Sequence, residues 1–310
     1  VSRRARQKGV LLIAAIVLLV VVALLAASIS MIVGTSDTAA TDNLSAGQAL
    51  FLAESGEEYE ARRMAQNVDW YRSSTDPTTS SGAISFGAGT FTTSSKLSAT
   101  KLRRRVIGTS TAICVYSVDR FPNTGTNYIQ IDDDISAGAE FVSYTGTTTS
   151  LVACNNLPAF TGITRTVKLG GLQPPQGNHF RDDIAYPVTT LIDNLAASGT
   201  CVAPAQLRIT DNSKFLDIGT ISLDDGGANS EDISYSSSSR SGGVMTLTGL
   251  KRLLGAICPS WTGGGGTAGA PVRPQLANST GGSPNDYEAL ASSSGGAGNA
   301  QRASNRVLHR

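Results

Sequence analysis

Charge is scarce in this 310-residue chain: 16% of residues are Asp, Glu, Lys or Arg, against ~25% in an ordinary globular protein. Gly, Ser and Thr are abundant instead, a composition of turn-rich extracellular β structure rather than of a cytosolic helical enzyme. A basic excess is also lacking. The formal net charge is +1, but Arg3, Arg4, Arg6 and Lys8 all precede Gly9 with no acid among them. The remainder holds 21 basic against 24 acidic residues, or −3, which excludes the broad positive field of a nucleic-acid binder. Only two histidines are present, and none of Cys114, Cys154, Cys201 and Cys258 stands in a C-x-x-C pair. A zinc site therefore has no ligand set.

Catalytic signatures are missing as well. The chain has no G-x-S-x-G, no H-E-x-x-H and no phosphate-binding glycine loop. The GGGG run at 263–266 leads into a tail rather than a helix. His179 lies near Arg181, Asp182 and Asp183, yet a lone histidine in a loop reads as ordinary surface. No catalytic residue and no cofactor is expected.

What is present begins at the N-terminus. Residues 1–9, VSRRARQKG, are basic. Residues 10–33 are 24 consecutive residues with only Ser28 and Ser30 polar, and about 20 apolar residues suffice to cross a bilayer as a helix. Four cations before the run place the N-terminus in the cytoplasm and the rest outside. A break is expected at Gly34-Thr35-Ser36-Asp37. Helical periodicity then resumes to residue 72, with Ala46, Leu50, Ala53, Ala61, Met64, Val68 and Tyr71 on one face, interrupted by Glu57.

From Ser73 the pattern is short runs of Val, Ile, Thr, Tyr and Phe between turns, which read as strands. A diverged repeat is visible: VYSVDRF (115–121) against ITDNSKF (209–215), FVSYTG (141–146) against DISYSS (232–237), and FTGITR (160–165) against LTGLKR (247–252). The expected fold is α+β, a long N-terminal helix on a β-rich domain with two related modules. The divisions are a 1–9 leader, a 10–33 membrane helix, a 34–72 amphipathic continuation, a first module with connector at 73–200, a second at 201–261, and a disordered Gly/Ser-rich tail at 262–310. A short helix is expected at TTLIDNLAA, residues 189–197. Trp70, Tyr71 and Trp261 read as caps of the junction and the β core.

Acidic turns recur in both copies, Asp132-Asp133-Asp134 with Glu140 and Asp224-Asp225 with Glu231 and Asp232. Hard carboxylates of this kind suit calcium, with Asp132, Asp133, Asp224 and Asp225 as the ligands, but the spacing fits no EF-hand loop and solvated turns are the commoner explanation. Four cysteines in an exported region imply two disulfides with three possible pairings. Cys114 and Cys154 lie within the first copy while Cys201 and Cys258 bracket the second, which favours the sequential pairing.

A short basic leader ending in Gly9 and followed directly by a hydrophobic helix resembles the signal of type IV pilins and pseudopilins. QALFLAESGEEYEARRM (48–64) is similar to the A-x-E-A/S-G-x-x-x-A stretch of PilX-like and MshP-like minor pilins, through Ala53, Glu54, Ser55, Gly56 and Ala61. The resemblance covers residues 1–72. It implies cleavage by a prepilin peptidase between Gly9 and Val10 and N-methylation of Val10. It also implies residence in the bacterial inner membrane with the C-terminus outside, then incorporation among other pilin subunits at the cell surface. One departure stands out: the glutamate of major pilins at the fifth mature position is Ala14 here. A carboxylate in the bilayer is costly unless it finds a partner, such as a neighbouring subunit's new amine. Its loss points to a minor, priming or tip-located subunit for assembly or adhesion. Two other readings compete. An uncleaved anchor carrying a periplasmic or surface binding domain needs only the length of the run. A secretory signal cleaved near Ala23-Leu24-Leu25-Ala26 would release a soluble protein. The pilin reading alone accounts for both Gly9 and the AESG stretch.

Overall fold

The structure is a computed structural model that describes residues 3–66, 78–79, 82–131, 140–171, 176–196, 202–224, 230–252, 259–264, 269–274, 288–297 and 300–309. Helix α1 runs unbroken from Arg3 to Gln66, about 95 Å at 1.5 Å per residue. The break expected at Gly34 does not occur. A single glycine costs a helix only about 1 kcal/mol, and the hydroxyls around it bond back to the helix. Thr35 Oγ1 donates to the Met31 carbonyl at 3.0 Å, and Thr38 Oγ1 to that of Gly34 at 2.9 Å. Ser28 does the same within the apolar run, donating to Leu24 at 2.8 Å, which satisfies its hydroxyl within the helix.

The first strands are β1 (Thr78–Thr79), β2 (Ile84–Phe86) and β3 (Gly89–Leu97). They form a five-stranded antiparallel sheet with β18 (Glu288–Ala297) and β19 (Ala300–His309) at the other end of the chain. For these strands this corrects the expectation of a disordered tail at 262–310, of which residues 265–268, 275–287, 298–299 and 310 lie outside the described residues. The Ser-, Gly- and Ala-rich composition there has little apolar surface, but a strand pairs through its backbone. β18 pairs with β3 from Ala289↔Leu97 to Gly296↔Thr90 and with β19 along its whole length.

Among the described residues all other strands lie between β3 and β18 in sequence, so the helix and its sheet form a body into which residues 98–274 are inserted. The first part of the insert contains β4 (Thr100–Lys101), β5 (Ile113–Cys114), β6 (Asn127–Ile131), β7 (Glu140–Tyr144), β8 (Gly146–Leu151) and β9 (Leu157–Thr161). β10 (Ile184–Thr190) follows. The second part contains β11 (Gln206–Thr210), β12 (Gly219–Asp224), β13 (Ser230–Tyr235), β14 (Ser237–Ser241), β15 (Val244–Thr248), β16 (Lys251–Arg252) and β17 (Pro271–Pro274). An eight-stranded sheet in the order β16-β13-β12-β17-β10-β6-β7, with β4 also on β10, runs through both parts; the three-stranded sheets β5-β9-β8 and β11-β15-β14 complete them. Each part buries its own core, one around Ile129, Val142, Tyr144 and Phe160 and the other around Ile221, Ile233, Met245 and Leu247. The helix expected at 189–197 is instead the end of β10 followed by single bridges, Leu191 to Ile209 and Leu195 to Trp261. Its two leucines are both buried in the second core.

Candidate functional site: the exposed helix and two buried glutamates

The apolar run of α1 is bare. From Ile16 to Val33 its large side chains stand open, Leu19 at 71% and Met31 at 74% exposure, and no part of its most apolar window is covered by the rest of the protein. By length and composition this helix is able to cross a membrane once. Gly9 and Val10 lie within α1, and Ala14 is exposed.

Further along, α1 meets the sheet through Ala49, Leu52, Ala53, Gly56, Glu57 and Glu60, all buried. The buried face is thus rotated from the one expected: Leu50 is exposed, and two acids lie inward. Small residues make the contact possible. A Cβ on Gly56 would sit 2.0 Å from Ser293 Oγ, and one on Gly295 would sit 2.5 Å from the Ala49 carbonyl oxygen. Glu60 tolerates burial because it is paired, with Arg63 Nε donating at 3.1 Å and Thr93 Oγ1 at 3.0 Å. Ala53 and Gly56 of the AESG stretch therefore serve the helix–sheet contact.

In the insert, Glu140 and Glu231 are both fully buried. Glu140 opens β7 and is gripped by Arg165, whose Nε donates to Oε1 at 2.8 Å while its Nη2 reaches Oε2. The Thr166 amide (3.1 Å), the Gly177 amide (3.2 Å) and His179 Nε2 (3.2 Å) complete the set. Burial alone would raise the Glu140 pKa; the hydrogen bonds of His179 and Arg165 and the Arg165 charge outweigh it and hold the carboxyl at about 2. Glu231 is held by Arg252 through both oxygens, with Arg252 Nη2 at 2.6 Å, and by Trp261 Nε1 at 2.8 Å. Arg252 also donates to the carbonyls of Ala196 (3.0 Å) and Pro259 (2.8 Å), tying the chain before β11 and the chain between β16 and β17 to the second core.

Several expectations change here. Glu140 and Glu231, grouped with the acidic turns as surface carboxylates, are closed off by arginine. His179 is 1% exposed rather than surface. The signal that would have found them is an Arg closing each T-G-x-x-R run after an acid that opens a strand. Asp132, Asp133 and Asp225 lie outside the described residues, Asp224 ends β12, and among the described residues no three metal-ligating side chains converge. Cys114 and Cys154 form a disulfide with a Cα–Cα distance of 5.6 Å, whereas Cys201, Cys258, Trp70 and Tyr71 lie outside the described residues. Trp261 is buried in the second core. No known protein family, curated protein or solved structure matches the chain.

Proposed function

We propose that this chain is a minor pilin-like subunit that resides in a membrane through α1, is cut between Gly9 and Val10, and enters a type IV pilus or related filament. The observation that carries the reading is the continuity of α1. An apolar helix exposed on all sides extends without interruption from a segment locked onto the sheet by small-residue contacts. A tether needs no such rigidity. A subunit whose helix leaves lipid must bury that surface against other helices, since each Å² of apolar area left in water costs about 25 cal/mol.

The insert is then what the filament displays, and we read it as two diverged copies of one module. β5-β9-β8 and β11-β15-β14 share an order, and Arg165 on Glu140 parallels Arg252 on Glu231. Gly162 and Gly249 both turn with positive φ, +63° and +64°. At each, a Cβ would strike the hydroxyl of the residue after the tyrosine, at 2.0 Å from Thr145 Oγ1 and 1.9 Å from Ser236 Oγ. His179 and Trp261 each form an isolated antiparallel bridge with an earlier residue, Val106 and Leu195.

A second reading, an uncleaved anchor for a periplasmic or surface binding domain, draws support from Ala14, which offers no carboxylate to a neighbour's amine. Shearing filaments from cells and probing them for the chain separates the two. Co-purification with filaments is expected; recovery of all the protein in the membrane fraction would favour the tether.

A further inference from the structure

We infer that one end of the first module is a docking surface for an acidic polysaccharide. Residues 103–107 run beside the Cys114–Cys154 disulfide and beside His179. The Arg103 amide donates to the Cys114 carbonyl (2.8 Å), and that of Val106 to the His179 carbonyl (2.9 Å). Arg103 and Arg181 meet at Tyr116, and Arg105 stands over Phe180, the residue before Arg181. Arg103 stacks over Tyr116 with its guanidinium carbon 5.2 Å from the ring centre, and Arg105 over Phe180 at 5.3 Å. Arg104 donates to the Ala153 carbonyl at 2.9 Å. Among the described residues none of these three has a carboxylate partner within ion-pair distance. Arg181 lies 3.6 Å from Asp182 and donates to Tyr116 Oη at 3.2 Å. A cation–π contact holds a guanidinium over its ring and leaves outer N–H groups for an oxyanion. Three apolar side chains stand open in the same region: Phe180 at 61%, Ile107 at 43% and Val152 at 85% exposure.

The protein's own bilayer is not the partner. β3 runs beside α1 away from the apolar run, with Gly89 against Leu52 and Thr93 bonded to Glu60. Glu60 is about 40 Å along the helix from Val33, and Leu97 is about 13 Å further by strand rise. Six residues reach back at most about 21 Å, which leaves Arg103 roughly 30 Å beyond the membrane end, several Debye lengths. Nor does a nucleic acid suit it. Duplex DNA carries a charge every ~1.7 Å, and it would meet Asp182, Asp183 and a chain that is −3 beyond its first nine residues. A polyuronate has sparser carboxylates, which fit the arginine forks, and sugar rings with apolar faces to lie on Phe180 and Ile107.

This inference rests on the display reading, but its test does not need filaments, so the two fail separately. The full chain in detergent micelles is titrated with a decagalacturonate, a neutral dextran of equal length and an oligonucleotide duplex of 12 base pairs, with binding followed by interferometry. Decagalacturonate alone is expected to bind at low salt, at least tenfold more weakly to the R103A/R105A/R181A variant and several-fold more weakly to F180S. The variants' thermal melts and intact disulfide report folding. Failure of decagalacturonate to bind, tighter binding of the oligonucleotide, or a folded triple variant within twofold of wild type would overturn the proposal.

Discussion

Glu140 illustrates how much one side chain contributes when burial and pairing act together. Its pKa is lowered from 4.5 to about 2 in the fold, so its ionised form contributes on the order of 3 kcal/mol. The sign follows from the direction of the shift. The contribution is complete above the unfolded carboxylate's pKa and is lost as pH falls through the folded value, in the window from about 4.5 to 2. Thermal melts of wild type and E140Q are expected to differ at pH 7 and to converge toward pH 2. Arg165→Ala removes the partner and leaves a buried anion, at a cost of about 3–5 kcal/mol; a melting temperature unchanged at pH 7 would contradict the geometry. The Cys114–Cys154 bridge spans 40 residues, which corresponds to about 4 kcal/mol of loop entropy in the unfolded chain. The C114S/C154S variant is expected to unfold at correspondingly lower denaturant. At this scale the sequence was half legible. The pairing of Cys114 with Cys154 was expected from their closeness in sequence within the first part of the insert, but the partners of Glu140 and Glu231 were not, because an acid next to a turn reads as solvated until its arginine, 25 or 21 residues on, is brought back by the fold.

Among the elements, α1 shows what periodicity carries and what it misses. The existence of the helix was plain from the apolar run and the later pattern, but its continuity through Gly34 and its start at Arg3 were not. Its inward face was not, because helix–sheet contact here is decided by closeness rather than greasiness. Gly56, Ala53 and Gly295 let the backbones approach, and Glu57 and Glu60 follow them inside while Leu50 and Phe51 stay out. Gly56→Leu is expected to force α1 off β18 and lower stability by about 1–3 kcal/mol, measurable as a drop in the melting temperature of the intact chain. The same substitution at Gly47, where nothing lies within 4 Å of an added Cβ, serves as the control and is expected to be neutral or slightly stabilising. β18 and β19 were illegible for a related reason. The small residues of β18 promise no core, yet Ser293 and Gly295 are where α1 comes closest, and β19 pairs through its backbone.

For the whole molecule, the order of elements matters more than any single one. The chain lays down a helix and three strands, makes an inserted pair of β parts with their own cores, and returns to close the first sheet with its final hairpin. Truncation before Glu288 is expected to remove the strand next to β3 and destabilise the α1–sheet body, seen as protease cleavage within residues 49–66, with the Cys114–Cys154 disulfide still formed. The central claim, that α1 is a processed filament helix rather than a permanent tether, is tested most directly by the intact mass of the chain recovered from cells with a functioning prepilin peptidase. The account predicts a mass beginning at Val10 and raised by one methyl group, with the full-length mass restored by a bulky substitution at Gly9. An unprocessed N-terminus in both proteins would contradict it.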